Sequence, residues 1–73
     1  MPKTFGAWLK AQQDRNDPVG DLARDFIDAC RWRKEHPPAF EPDDLKLQMD
    51  CLGASDAAYD AFDAACAEWR AYR

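Results

Sequence analysis

Apolar residues recur along this chain at helical spacing, interrupted at three places by turn chemistry. Phe5, Trp8 and Leu9 stand at i, i+3, i+4 behind Thr4, a residue suited to cap a helix, and predict a first helix to about Gln13. The polar run Asp14–Arg15–Asn16–Asp17 then breaks it. Asp17 as N-cap and Pro18 at the first helical position open a second helix. Its stripe is Val19, Leu22, Ala23, Phe26, Ile27 and Cys30, at offsets 0, 3, 4, 7, 8 and 11. Asp21, Asp25 and Asp28 take the opposite side, and Asp21 in the first turn complements the helix dipole.

Residues 33–40 read as a loop, because Pro37 and Pro38 forbid helix there, with Phe40 as a plug for the core. A third helix starts at Pro42, carries Asp43 and Asp44 in its first turn, and stops near Gly53. Leu45, Met49 and Leu52 form its inward side, while Leu47 and Cys51 lie on another, making it apolar nearly all round. Ser55 caps a fourth helix with the stripe Ala58, Tyr59, Phe62, Ala65, Cys66 and Trp69, and with Asp56, Asp60 and Asp63 toward water. No strand pattern or internal repeat intervenes. The expected fold is all-α, a compact four-helix bundle forming one domain over residues 1–73.

Gly20 is the anomaly in this pattern. Glycine inside a helix costs about 1 kcal/mol relative to alanine, and here it also forgoes a capping box with Asp17. It lies at the edge of the stripe beside Ala23 and Ile27, so another backbone is expected to approach too closely for a Cβ, either the first helix or the turn after it.

Composition narrows the class. A 73-residue chain buries only about 60% of its unfolded surface, so it needs a dense apolar set, and three Trp, four Phe and two Tyr supply one. The net charge of −4 is uneven, +2 over 31–40 and −5 over 41–73. An acidic balance disfavours non-specific nucleic-acid binding. Cys30, Cys51 and Cys66 are odd in number and match no C-x-x-C spacing, which points to reduced thiols in a cytoplasmic protein and to no zinc site. No leader or membrane-spanning pattern occurs, and no membrane partner is expected.

The stretch "FGAWLKAQQDRNDPVGDLARDF" resembles the opening of the small bacterial YozE-like family, in the positions Phe5, Trp8, Leu9, Gln12, Asp14, Arg15, Asp17, Pro18, Val19, Gly20, Asp21, Leu22, Ala23 and Asp25. The later part agrees loosely, through a proline-containing loop, a short third helix, and Phe62 and Trp69 in the last. The resemblance implies a fold similar to the sterile alpha motif (SAM) and a small protein for which nucleic-acid binding is suggested mainly from fold similarity. SAM-like folds serve protein and nucleic-acid contacts alike, so the fold by itself does not choose between them. The chain departs from the family at "CRWRKEHPPAF", which is longer and more basic than the usual turn; either the second helix extends further or the loop is remodelled.

Two surfaces are candidates for function. Arg31, Trp32, Arg33, Lys34 and His36 interleave basic groups with an aromatic, as single-strand binders do. The simpler reading is a basic helix end complementing its dipole with Trp32 folded onto the core, and few other basic residues, chiefly Lys3, Lys10, Arg70 and Arg73, could extend a phosphate footprint. Leu47 and Cys51 form the other candidate, an apolar side that either takes a protein partner or is covered by Trp32 or Phe40. The aspartate rows read as solvated faces. Catalysis has little to stand on: the lone Ser55 is a cap, the lone His36 lies among prolines, and no phosphate loop or metal motif appears. The sequence thus predicts a non-enzymatic binding module without cofactor, with a protein partner or self-association ahead of nucleic acid.

Overall fold

The computed structural model describes residues 4–72, so Lys3 and Arg73 lie outside the described residues. Helices α1 (Phe5–Ala11), α2 (Pro18–Arg33), α3 (Pro42–Leu52) and α4 (Asp56–Tyr72) form a four-helix bundle, with a single 3₁₀ turn at Pro37–Ala39. No strand occurs among the described residues. The radius of gyration is 10.9 Å, close to the roughly 11 Å expected of a compact chain of this length.

Each start was written in the capping residues. The Thr4 side chain accepts a hydrogen bond from the Ala7 N–H at 3.3 Å, Asp17 accepts from the Gly20 N–H at 2.9 Å, and Ser55 accepts from the Ala58 N–H at 3.2 Å. Helix α3 begins at Glu41, whose N–H donates to the Asp44 carboxylate at 2.9 Å while its carbonyl accepts from the Asp44 N–H at 3.0 Å.

The core joins Phe5, Leu9, Ala23, Phe26, Cys30, Leu45, Phe62, Ala65 and Trp69, all buried. Phe5 is its hub. The rings of Trp8, Phe62 and Trp69 surround it at centroid distances of 6.0, 6.1 and 6.3 Å. Phe40 plugs the other end as expected, edge-on to Phe26 at 5.1 Å.

Gly20 sits where the sequence placed it, against the turn after α1. A Cβ there would lie 2.0 Å from the Arg15 carbonyl oxygen. That turn is also clamped by its side chain. The Arg15 guanidinium donates to Glu68 of α4 at 2.7 and 3.1 Å and to Asp17 at 2.7 and 3.0 Å. These bonds raise the Arg15 pKa, Glu68 contributing most, and the Gly20 N–H together with Arg15 holds the Asp17 carboxyl below its ordinary value. Because the clash is with backbone, even Gly20→Ala is expected to destabilise by about 1–3 kcal/mol, and Gly20→Val by more. Chemical denaturation measures this directly; an alanine variant with an unshifted midpoint would show that the turn yields without cost.

Four expectations need correction. Helix α1 ends at Ala11, two residues early, because the Gln12 N–H turns back to the Leu9 carbonyl and the Gln13 N–H to the Lys10 carbonyl. Helix α2 runs to Arg33, one residue into the span 33–40 read as a loop. Residues 37–39 are helical after all, in the tighter 3₁₀ form, whose two hydrogen bonds are donated by Ala39 and Phe40 and require no proline N–H. Leu52, assigned inward, is 62% exposed; it ends α3 and lines, with Ala54 and Ala58, a depression open to solvent.

Candidate functional site

The extension of α2 decides where the basic segment lies. Lys34 adopts the left-handed conformation (φ 57°) and closes a Schellman motif. The Lys34 N–H donates to the Arg31 carbonyl at 3.3 Å and the Glu35 N–H to the Cys30 carbonyl at 2.8 Å. This turn swings Glu35 toward α3. Its Oε1 accepts from Arg33 Nε at 3.2 Å and from Gln48 Nε2 at 3.3 Å, tying the end of α2 to α3 across the 3₁₀ turn.

The result is an open groove of about 360 Å³ in which Arg33 and Glu35 meet Phe40, Leu47, Gln48 and Cys51. Leu47 and Cys51, one turn apart on α3, are both exposed, Leu47 at 65%. Neither Trp32 nor Phe40 covers them: Phe40 is buried beneath, and Trp32 is 88% exposed elsewhere on α2. The expectation that Trp32 folds onto the core is therefore wrong. In a helix that continues regularly, Trp32 stands four residues after Asp28 and seven after Asp25, on the solvent row.

The five residues of the basic cluster do not converge. Arg33 joins the groove. Arg31 and Trp32 lie exposed on the outer side of α2, where Arg31 stands 3.9 Å from Asp28. Lys34 is exposed at the helix end, and His36 is exposed at the start of the 3₁₀ turn. What the structure assembles is one arginine beside the α3 face, with Glu35 and Asp44 as counter-charges.

Glu35 and Gln48 were missed as site residues. Glu35 gives no local signal, since its partner Gln48 lies across a loop. Gln48 does carry one: it completes the stripe of Leu45 and Met49 and is the one polar side chain buried among the described residues. A buried polar group requires a partner, and that partner is Glu35.

The cysteines divide by burial. Cys30 and Cys66 are buried and Cys51 is exposed, all three as free thiols. Burial is the main cause that pushes the Cys30 and Cys66 thiols above their ordinary pKa, which keeps them in the unreactive thiol form. Among the described residues, no group of three or more His, Cys, Asp or Glu is placed to hold a metal ion, and no helix is long and apolar enough to cross a membrane. No protein-family profile, curated protein or solved structure matches this chain, so the functional reading rests on its own residues.

Proposed function

We propose that this chain is a small binding module that takes a protein partner on the outer face of α3. One observation carries the reading. The groove combines an exposed apolar centre, Leu47 and Cys51, with a rim of both charge signs, Arg33, Glu35 and Asp44. Protein interfaces share that plan of an apolar core and a polar rim. The part-buried bond between Gln48 and Glu35 ties the two walls together, so the surface is preformed and binding needs little reordering. Reduced thiols favour a cytoplasmic setting, and the pattern from Phe5 to Asp25 supports membership of the YozE-like, SAM-like family. Neither catalysis nor a cofactor enters this reading.

Leu47→Asp tests it. Because Leu47 is exposed, the variant is expected to melt like the parent while losing its partner. Affinity capture from nuclease-treated lysate, parent against variant, reads the difference. A partner held equally by both proteins would overturn the assignment of this face.

A second reading, nucleic-acid binding through Arg31–His36, draws on the exposure of Trp32, an indole free to stack on a base. The scatter of Arg31, Arg33, Lys34 and His36 over different sides of the helix end counts against it. A capture that disappears on nuclease treatment would favour it over the protein partner.

A further inference from the structure

A second surface lies along α2, adjoining the α3 groove, with which its cleft shares Gln48. Asp21, Asp25, Asp28 and Trp32 fall at i, i+4, i+7 and i+11, which makes one outward row ending in an exposed indole. Single exposed apolar residues are ordinary. This one stands beside a cleft. Asp25 and Ala29, seven and three residues before Trp32, line the α2 wall of an apolar depression of about 250 Å³. Phe26, Met49 and the exposed Leu52 contribute to the rest of it. An apolar cavity of about 150 Å³ accepts benzene, so this depression has room for an indole. Trp32 itself does not line it.

We propose that a second copy of this chain covers this face, with the two α2 helices antiparallel and Trp32 of each copy seated in the cleft of the other. A protruding group and a receiving cleft side by side on one face are self-complementary about a two-fold axis. Charge selects the antiparallel arrangement. Asp21, Asp25 and Asp28 occupy the first two-thirds of α2, whereas Arg31 and Lys34 stand at its end. Two antiparallel copies set Arg31 and Lys34 of each against Asp21 and Asp25 of the other, and they also oppose the helix dipoles favourably. A parallel pair would set like charges together. Asp21 is already engaged by Arg24, and Asp28, nearest the two-fold axis, faces its own Arg31. Asp25 has no ion-pair partner among the described residues and is the carboxylate left for the second copy. One helix face and one indole per side bury less than a standard interface of ~1,600 Å², so the dimer is weak, with a dissociation constant of roughly 10 µM to 1 mM.

Analytical ultracentrifugation of the full chain across that concentration range is expected to show a monomer–dimer equilibrium. Trp8 and Trp69 are buried, so Trp32 is the indole whose fluorescence reports the contact, and its emission is expected to shift to the blue as dimer forms. Trp32→Ala is expected to weaken the dimer at least ~10-fold. Asp25→Lys and Lys34→Asp are each expected to weaken it, and the double charge reversal to restore it. Leu47→Asp is expected to leave the dimer intact, which separates this surface from the α3 groove. A protein monomeric throughout, or a dimer indifferent to Trp32→Ala, would overturn the proposal. So would a blue shift produced by mixed-sequence single-stranded DNA at sub-micromolar concentration but not by the protein's own concentration, which would assign Trp32 to nucleic acid.

Discussion

Phe5→Ala is expected to cost about 3–5 kcal/mol, the range for removing a fully buried phenylalanine. A 73-residue domain has roughly 4–11 kcal/mol to lose, so this one truncation removes a large share of its stability. Phe5 is wholly buried and its ring is the point where Trp8, Phe62 and Trp69 meet. Helix α1 has only seven residues, well below the ~12–15 at which an isolated helix becomes even marginal in water. Its helicity therefore depends on the ring that anchors it to α4. Urea denaturation with tryptophan fluorescence reads both effects, since Trp8 and Trp69 line the same cluster. Phe5→Leu refills part of the cavity and is expected to recover part of the loss. A Phe5→Ala variant with the parental midpoint would show that α1 is held by something other than this cluster.

Helix α2 was legible because its signals are independent and agree: Asp17 as cap, Pro18 at the first position, and an apolar stripe over three turns. Gly20 was legible for the opposite reason, as a residue that contradicts propensity and capping together, and the Arg15 carbonyl supplies the cause. The closing turn of α2 was not legible, although the loop was placed from residue 33, one residue early. Its left-handed closing residue is Lys34, whereas the rules that locate such ends look for glycine; Gly53, closing α3 with the same geometry, was read correctly. The fate of Trp32 turned on its angular position: four residues after Asp28 in a regular helix, it joins the aspartate row and not the core stripe. Of the α3 groove, Leu47 and Cys51 could be read as a surplus apolar side. Its other wall depends on the contact between Glu35 and Gln48, which no local pattern encodes.

The remaining large effect couples fold to site. Gly6 lies in the first turn of α1, and a Cβ there would stand 1.8 Å from the Pro37 carbonyl oxygen and 2.9 Å from the Phe40 Cβ. Its N–H also donates to the Phe40 carbonyl at 2.9 Å, satisfying a donor that the helix start leaves without an intrahelical partner. Gly6→Ala therefore forces α1 and the 3₁₀ turn apart by about 1 Å or more and strains that bond. Overpacking against backbone belongs at the upper end of the usual ~1–3 kcal/mol, and a weakened hydrogen bond adds about 1 kcal/mol. The displaced segment carries Phe40, which packs on Phe26 and lines the α3 groove. Gly6→Ala is thus expected to perturb the amide resonances of Leu47 and Cys51 and to weaken binding at a groove that residue 6 does not line. Gly20→Ala strains the Arg15 turn instead, on a part of the bundle that contributes nothing to the groove, and is expected to lower stability while leaving those resonances in place. Identical patterns of amide shifts in the two variants would show that the Pro37–Phe40 segment is not the link between α1 and the α3 surface.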